Sequence, residues 1–237
     1  MNSKDQALDV WGDFACFTRP ELKVERFSYP VITPSAARGI FDAVYCKRQE
    51  FRWQVTRVEI LTPPSFIALR RNEVKGRASE TAIRKWMRGT KEPEPLMADG
   101  LEEATGRTQR QTMALRDVRY RLHGEIRPWP QFEEHIQALE AQFRRRAAHG
   151  KCIYQPCFGC REFPAYFELV EVGASSAVTT PLDLDVGWMV YDVFDLSRPG
   201  DWSSKQAISL FNAKIESGVL HVPPYESDSV RKAVAPC

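Results

Sequence analysis

No run of apolar residues in this chain of 237 approaches the ~18 that a membrane-spanning helix requires. The opening residues, MNSKDQALDV, lack the basic and apolar regions of a signal peptide, so a soluble, cytoplasmic protein without a membrane partner is expected. Histidine is scarce, with four in all, and scattered. That scarcity weakens Cys157-x-x-Cys160 as a zinc site, because tetrahedral zinc needs two more ligands at comparable spacing. A tight turn around Gly159 is the simpler reading. The other cysteines (Cys16, Cys46, Cys152, Cys237) are widely spaced, and all six read as reduced thiols rather than a disulfide framework. No metal and no cofactor is expected. What is present suits a folded protein: 43% hydrophobic residues, and length for one domain or one domain plus a small appendage.

Net charge is also nearly absent, at +2, but this conceals an asymmetry. Residues 161 to 237 carry 6 basic and 11 acidic residues, a balance of −5, which leaves 27 and 20, or +7, for residues 1 to 160. The basic end is the side suited to a polyanion partner.

Residues 27 to 45, FSYPVITPSAARGIFDAVY, are where the chain's pattern is clearest. A strand-like run breaks at proline and restarts as a helix, with Thr33 as N-cap and Pro34 at the first helical position. Ala37, Ile40, Phe41 and Val44 recur at helical spacing and would bury one face, while Arg38 and Asp42 turn elsewhere. The helix should end near Tyr45 or Cys46. Gly39 inside it costs roughly 1 kcal/mol relative to alanine; a close packing contact, an approaching ligand or simple tolerance would each account for it.

Around this helix the pattern predicts a strand over 6–11, then a long connection in which Phe14, Phe17 and Phe27 lie beside Arg19, Lys23 and Arg26. Such interleaving can stack bases and hold phosphates, or pin a loop to the core. WQVTRVEIL reads as a strand interrupted at Pro63-Pro64 and resumed in SFIALRRNEV. Residues 75 to 110 are polar and glycine-containing, a long insertion with a possible short helix at SETAIRKWMRG. In MALRDVRYRLHGEI, Leu115 and then Val118, Tyr120, Leu122 and Gly124 share one face, and Arg119, Arg121, His123 and Glu125 the other. The second face sets an imidazole among cations, unless it is only a solvated charged row. An amphipathic helix follows in PWPQFEEHIQALEAQFRRRAAHG, with Phe132, Ile136, Leu139 and Phe143 inward and Gly150 as stop. CFGCREFPAYFELVE then makes a turn and a strand.

The order strand, helix, long strand, strand, helix, strand matches an α+β, ferredoxin-like (RRM-like) unit, a two-layer fold whose sheet often binds RNA. The expected division is a ferredoxin-like domain over 1–173, with its insertion at about 75–110, and a small antiparallel β appendage over 183–237 beyond the linker GASSAVTTP.

Several separated motifs resemble one family: VWGDFACFTRPELKVERFSYPVITPSAARGIFDAVY, RRNEV, RTQRQTMALRDVRY, FRRRAAHGK and QPCFGCREFPAYFEL. They are similar to the CRISPR-associated Cas-five family in its subtype I-C (d, or Dvulg) variant, over nearly the whole chain. The resemblance implies a repeat-associated (RAMP) protein that cuts precursor CRISPR RNA at the base of the repeat hairpin. It would then stay on the 5′ handle as a subunit of the Cascade surveillance complex, beside the backbone and large subunits. Target DNA would be met only through that complex. The implied cleavage needs no metal: the ribose 2′-OH attacks the adjacent phosphate, leaving a 2′,3′-cyclic phosphate and a 5′-hydroxyl. A base, a cation and an acid are required.

The family's site combines a tyrosine at the end of the first helix with a lysine and a histidine in the strand after the insertion. Tyr45 matches the first and His123 the last, but Leu122 stands where the lysine would be. Arg121 or Lys47 could supply the charge, though an arginine cannot give up a proton at neutral pH. Arg19, Lys23, Arg26, Arg38, Lys47, Arg70, Arg71 and Arg110 are the expected RNA contacts. Two other readings stand beside this one: a noncatalytic scaffold capping the 5′ handle, and a zinc or thiol protein built on Cys157 and Cys160.

Overall fold

The computed structural model describes residues 3–94, 107–171, 179–200 and 207–232. Residues 95–106 of the insertion, most of the linker and Cys237 lie outside the described residues. The first helix, α1 (Pro34–Val44), begins as its sequence dictates: the Thr33 hydroxyl accepts a hydrogen bond from the Ala36 N–H at 3.2 Å, and Tyr45 is the C-cap. Its apolar stripe packs on a sheet. Phe41 stacks on Trp53 at 4.7 Å and approaches Phe143 of a second helix at 5.9 Å. Gly124 makes room for this, since a Cβ there would stand 3.0 Å from the Phe41 ring.

The strands are β1 (Gln6–Ala15), β2 (Phe51–Ile60), β3 (Ser65–Val74), β4 (Arg107–Pro128), β5 (Tyr166–Leu169), β6 (Leu184–Asp192), β7 (Ser209–Glu216), β8 (Val219–His221) and β9 (Val230–Arg231). They form one antiparallel sheet in the order β5-β1-β4-β2-β8-β7-β6, with β3 also on β4 and β9 also on β7. The longest strand, β4, serves two partners. Its first part pairs with β3 from Val74↔Arg107 to Ser65↔Arg116, and its second with β2 from Ile60↔Tyr120 to Phe51↔Pro128. Asp117 sits between them at φ 52°, a left-handed conformation aspartate tolerates better than most residues. There the buried positions change phase, from Leu115 to Val118, Tyr120 and Leu122.

Because β4 continues through this bend, β1 finds partners as far as Ala15, four residues beyond the strand expected from sequence. The helix expected from Pro128 onward begins instead as a 3-10 turn (Pro130–His135), and only Ile136–Ala148 is α-helical (α3). The Phe132 N–H bonds the Trp129 carbonyl at 2.8 Å, a three-residue closure without a side-chain cap. In the insertion, α2 (Glu80–Met87) is capped by Ser79 and has no buried residue. The C-terminal strands join the sheet through β8 on β2, and the Gln54 amide donates to the Tyr191 hydroxyl at 2.8 Å.

Candidate RNA-processing site

Strand alternation puts His123 on the face of the sheet away from α1, since its neighbours Leu122 and Gly124 face the helices. Across the ladder its partners are Ala7 on β1 and Arg57 on β2. The ring is buried between two carboxylates: Nδ1 lies 2.7 Å from Asp5 Oδ2, and Nε2 lies 3.1 Å from Glu59 Oε1 but off the line of a hydrogen bond. Arg57 touches both acids, at 3.2 Å from Glu59 and 3.8 Å from Asp5. One step along, Arg121 makes a two-pronged contact with Asp9 at 2.7 and 3.1 Å. Such charge-assisted forks are strong and directional, so the guanidinium is held at Asp9.

Tyr45 is elsewhere. Its ring packs on Phe51 at 5.3 Å, Phe51 lies edge-on to Trp53, and Trp53 belongs to the α1–α3 side. The structure therefore brings Arg121 and His123 together and leaves Tyr45 on the opposite face. Around Tyr45 lie Lys47, which is ion-paired to Glu50 at 2.8 Å, and Arg146, whose Nε donates to the Val44 carbonyl at 2.6 Å. Burial raises the Tyr45 phenol above its ordinary range, and Lys47 beside the hydroxyl opposes that rise. The hydrogen bond to Glu50 raises the Lys47 ammonium in turn.

The remaining cations divide into groups. Arg26 and Arg71 share Glu162, at 3.0 and 2.8 Å, and Arg26 and Arg110 share Glu73, at 3.7 and 3.3 Å. Three arginines on two glutamates form a partly exposed cluster with one charge in excess. Arg70 points to the other side of β3 from Arg71, and Lys23 is exposed in the turn after a short 3-10 helix. Arg19 lies 4.5 Å over the Tyr29 ring and 3.6 Å from Glu21. Arg38 is different: it grips Asp42 at 2.6 Å and Asp192 at 2.7 Å, largely out of water. Burial opposes its charge, but the two carboxylates outweigh burial and raise its pKa.

Gly159 makes the expected turn at φ 81°, where a Cβ would meet the Cys16 carbonyl oxygen at 2.1 Å. The Cys160 thiol donates to the Cys16 carbonyl at 3.9 Å, and interaction with Cys160 holds the Cys16 thiol below its ordinary range against burial. Among the described residues no group of three or more His, Cys, Asp or Glu could hold a metal. Sequence reasoning passed over Asp5 and Glu59, the partners of His123, and Arg146. Only Arg146 had a visible signal, in the FRRRAAHGK motif.

The fold of this mixed α/β chain, with its one large antiparallel sheet, is shared with solved structures. A crystal structure titled only as a CRISPR-associated protein superposes with a TM-score of 0.64 at 20% identity, covering 97% of both chains. A functionally uncharacterized protein of Streptococcus mutans, SMU1763c, gives 0.61 at 19%, again covering 97% of both. These likenesses concern the fold. A family model described as CRISPR-associated protein (Cas_Cas5), the Cas5d type, matches residues 7–223, and the chain belongs to that family. Among its relatives is the CRISPR pre-crRNA endoribonuclease Cas5d of Mannheimia succiniciproducens, 36% identical over 95% of this chain and 97% of the relative. The protein of the same name from Thermus thermophilus is 37% identical over 91% of this chain and 90% of its own.

Proposed function

We propose that this protein is an endoribonuclease that binds and cuts precursor CRISPR RNA, and that it stays on the 5′ handle within a Cascade complex. The observation that carries this is family membership across residues 7–223, with relatives named for that activity matched along nearly their whole length. The partners are CRISPR RNA and other type I-C Cascade subunits, with target DNA reached through the assembly; the setting is the cytoplasm.

The fold reading that goes with it is ferredoxin-like. In the order β5-β1-β4-β2, with α1 following β1 and α3 following β4, the first and third strands of the unit lie centrally and the second and fourth at its edges. Residues 1–173 would form this unit, and 183–237 an appendage joined to it at β8.

In the reaction, a base removes the 2′-OH proton, the O2′–P bond forms, the P–O5′ bond breaks, and an acid protonates O5′. Tyr45, with Lys47 beside it, is one end of the proposed machinery, and His123 with Arg121 is the other. For all of them to act on one phosphate, the RNA has to wrap the sheet edge or the groups have to rearrange, because they occupy opposite faces.

The test is a gel assay of purified protein on the cognate repeat hairpin in excess EDTA, with wild type beside Tyr45→Phe and His123→Ala. A single cut by wild type, lost in a variant that still binds RNA, supports the nuclease and names the catalytic face. Binding without cutting by all three marks a noncatalytic handle-binding scaffold. Leu122 in place of the family lysine, and the carboxylates around His123, are the observations favouring that second reading.

A further inference from the structure

A second feature lies on the open face, one row away from Arg121. Tyr166 on β5, Trp11 on β1 and Arg119 on β4 are direct ladder partners, so they form a line across three adjacent strands. Both rings are wet: Tyr166 is 51% exposed and Trp11 36%. Their centroids lie 6.3 Å apart with planes 29° from parallel, and the Arg119 guanidinium sits 5.9 Å from the Trp11 ring. Arg119 is exposed and makes no ion pair with any of the described residues, unlike Arg121 beside it.

We propose that this row is a stacking platform for unpaired RNA bases. Three strands spaced about 4.8 Å apart span roughly 10 Å, the width of one or two bases. A stable protein interface needs about 800 Å² from each partner, far more than this row supplies. Nucleobases stack on aromatic rings and guanidinium planes without regard to sequence. The adjacent row on the same face carries Glu168 and the internally paired charges Asp9–Arg121 and Glu59–Arg57, which leave phosphate little to bind there. The bases would therefore lie over Tyr166 and Trp11, with their backbone on the Arg119 side. This rests on the RNA-processing reading and says which part of the RNA the open face takes.

The experiment is fluorescence anisotropy with two labelled probes, hexaadenylate and an oligonucleotide of equal length without bases. Trp11→Ala should weaken hexaadenylate binding about tenfold, Tyr166→Ala somewhat less, and Trp11→Phe no more than about threefold. The abasic probe should bind wild type and Trp11→Ala equally. Unchanged hexaadenylate affinity in Trp11→Ala, or an equal loss with the abasic probe, overturns the platform. So does a Trp11→Ala, Tyr166→Ala double variant that binds RNA normally but no longer co-purifies with the surveillance complex, because the row would then be a protein contact. Cleavage of the repeat hairpin, measured on the same preparations, separates the two claims. A wild type that binds in this pattern but does not cut leaves the platform standing without the nuclease, and the converse leaves the nuclease without the platform.

Discussion

Tyr45→Phe removes one oxygen from a ring otherwise held by packing against Phe51, so its effects on chemistry and stability separate cleanly. An ordinary tyrosine is about one part in a thousand ionised at pH 7. Burial lowers that fraction further at Tyr45, and Lys47 opposes the change. If the phenolate is the base, the cleavage rate should climb about tenfold per pH unit from pH 7 toward 9, because the active fraction grows in proportion. Losing a general base costs about 10²–10⁴ in rate, or about 2.7–5.5 kcal/mol of barrier. The hydroxyl's partner, Lys47, keeps Glu50 at 2.8 Å, so the stability loss should be no more than about 0.5–1.5 kcal/mol. The assay is single-turnover cleavage of the repeat hairpin across this pH range, with a thermal melt beside it. A variant that cuts within about threefold of wild type refutes a catalytic Tyr45. A flat pH profile with large loss in Tyr45→Phe refutes the base and leaves the acid.

Arg38→Met strands Asp192, which is 1% exposed, and should cost about 3–5 kcal/mol, lowering Tm by roughly 10 °C in calorimetry. Gly159→Ala should cost about 2 kcal/mol or more in thermal melts, because φ 81° and the Cys16 carbonyl both oppose a Cβ. Gly150→Ala, at φ 62° with open space around it, should cost only about 1 kcal/mol. The Glu162 carboxyl is held below its ordinary range by a backbone hydrogen bond and by Arg71 and Arg26. The stability it brings is full above its unfolded pKa, about 4.3, and is lost as pH falls through the lower folded value. Melts of Glu162→Gln between pH 6 and 3 should therefore show a shallower acid slope than wild type, and an equal slope would place the acid sensitivity elsewhere.

The parts that sequence made legible are those fixed within a few residues. Thr33-Pro34 announces α1, its 3.6-residue stripe names the buried side chains, and Gly150 stops α3 at φ 62°. The phase change in β4 was visible as the step from Leu115 to Val118, although the left-handed Asp117 that makes it was not. What could not be seen locally is how charges separated along the chain cancel. Arg38 and Arg121 look like free cations, but Asp192 lies 154 residues from one and Asp9 112 from the other. The same limit hid the two-sidedness of the site. Alternation sets His123 opposite Leu122, but only the packing of Phe41 over Gly124 decides which of those faces α1 covers, and with it the side on which Tyr45 lies.

Once these internal pairs are formed, the cations still able to take phosphate are not the ones that stand nearest the expected catalytic residues. Arg121 is spent on Asp9, and His123 sits between Asp5 and Glu59, so that part of the open face offers RNA little net attraction. Lys23, Arg70 and Arg119 are exposed and make no ion pair with the described residues, and the Arg26–Arg71–Arg110 cluster keeps one charge in excess. Of these, Arg119 lies on the open face in the row of Trp11 and Tyr166, and a polyanion on that face would reach His123 only by displacing a carboxylate. At Tyr45 two cations, Lys47 and Arg146, stand against the single carboxylate of Glu50, and it is therefore the residue on which the catalytic reading should first be tried.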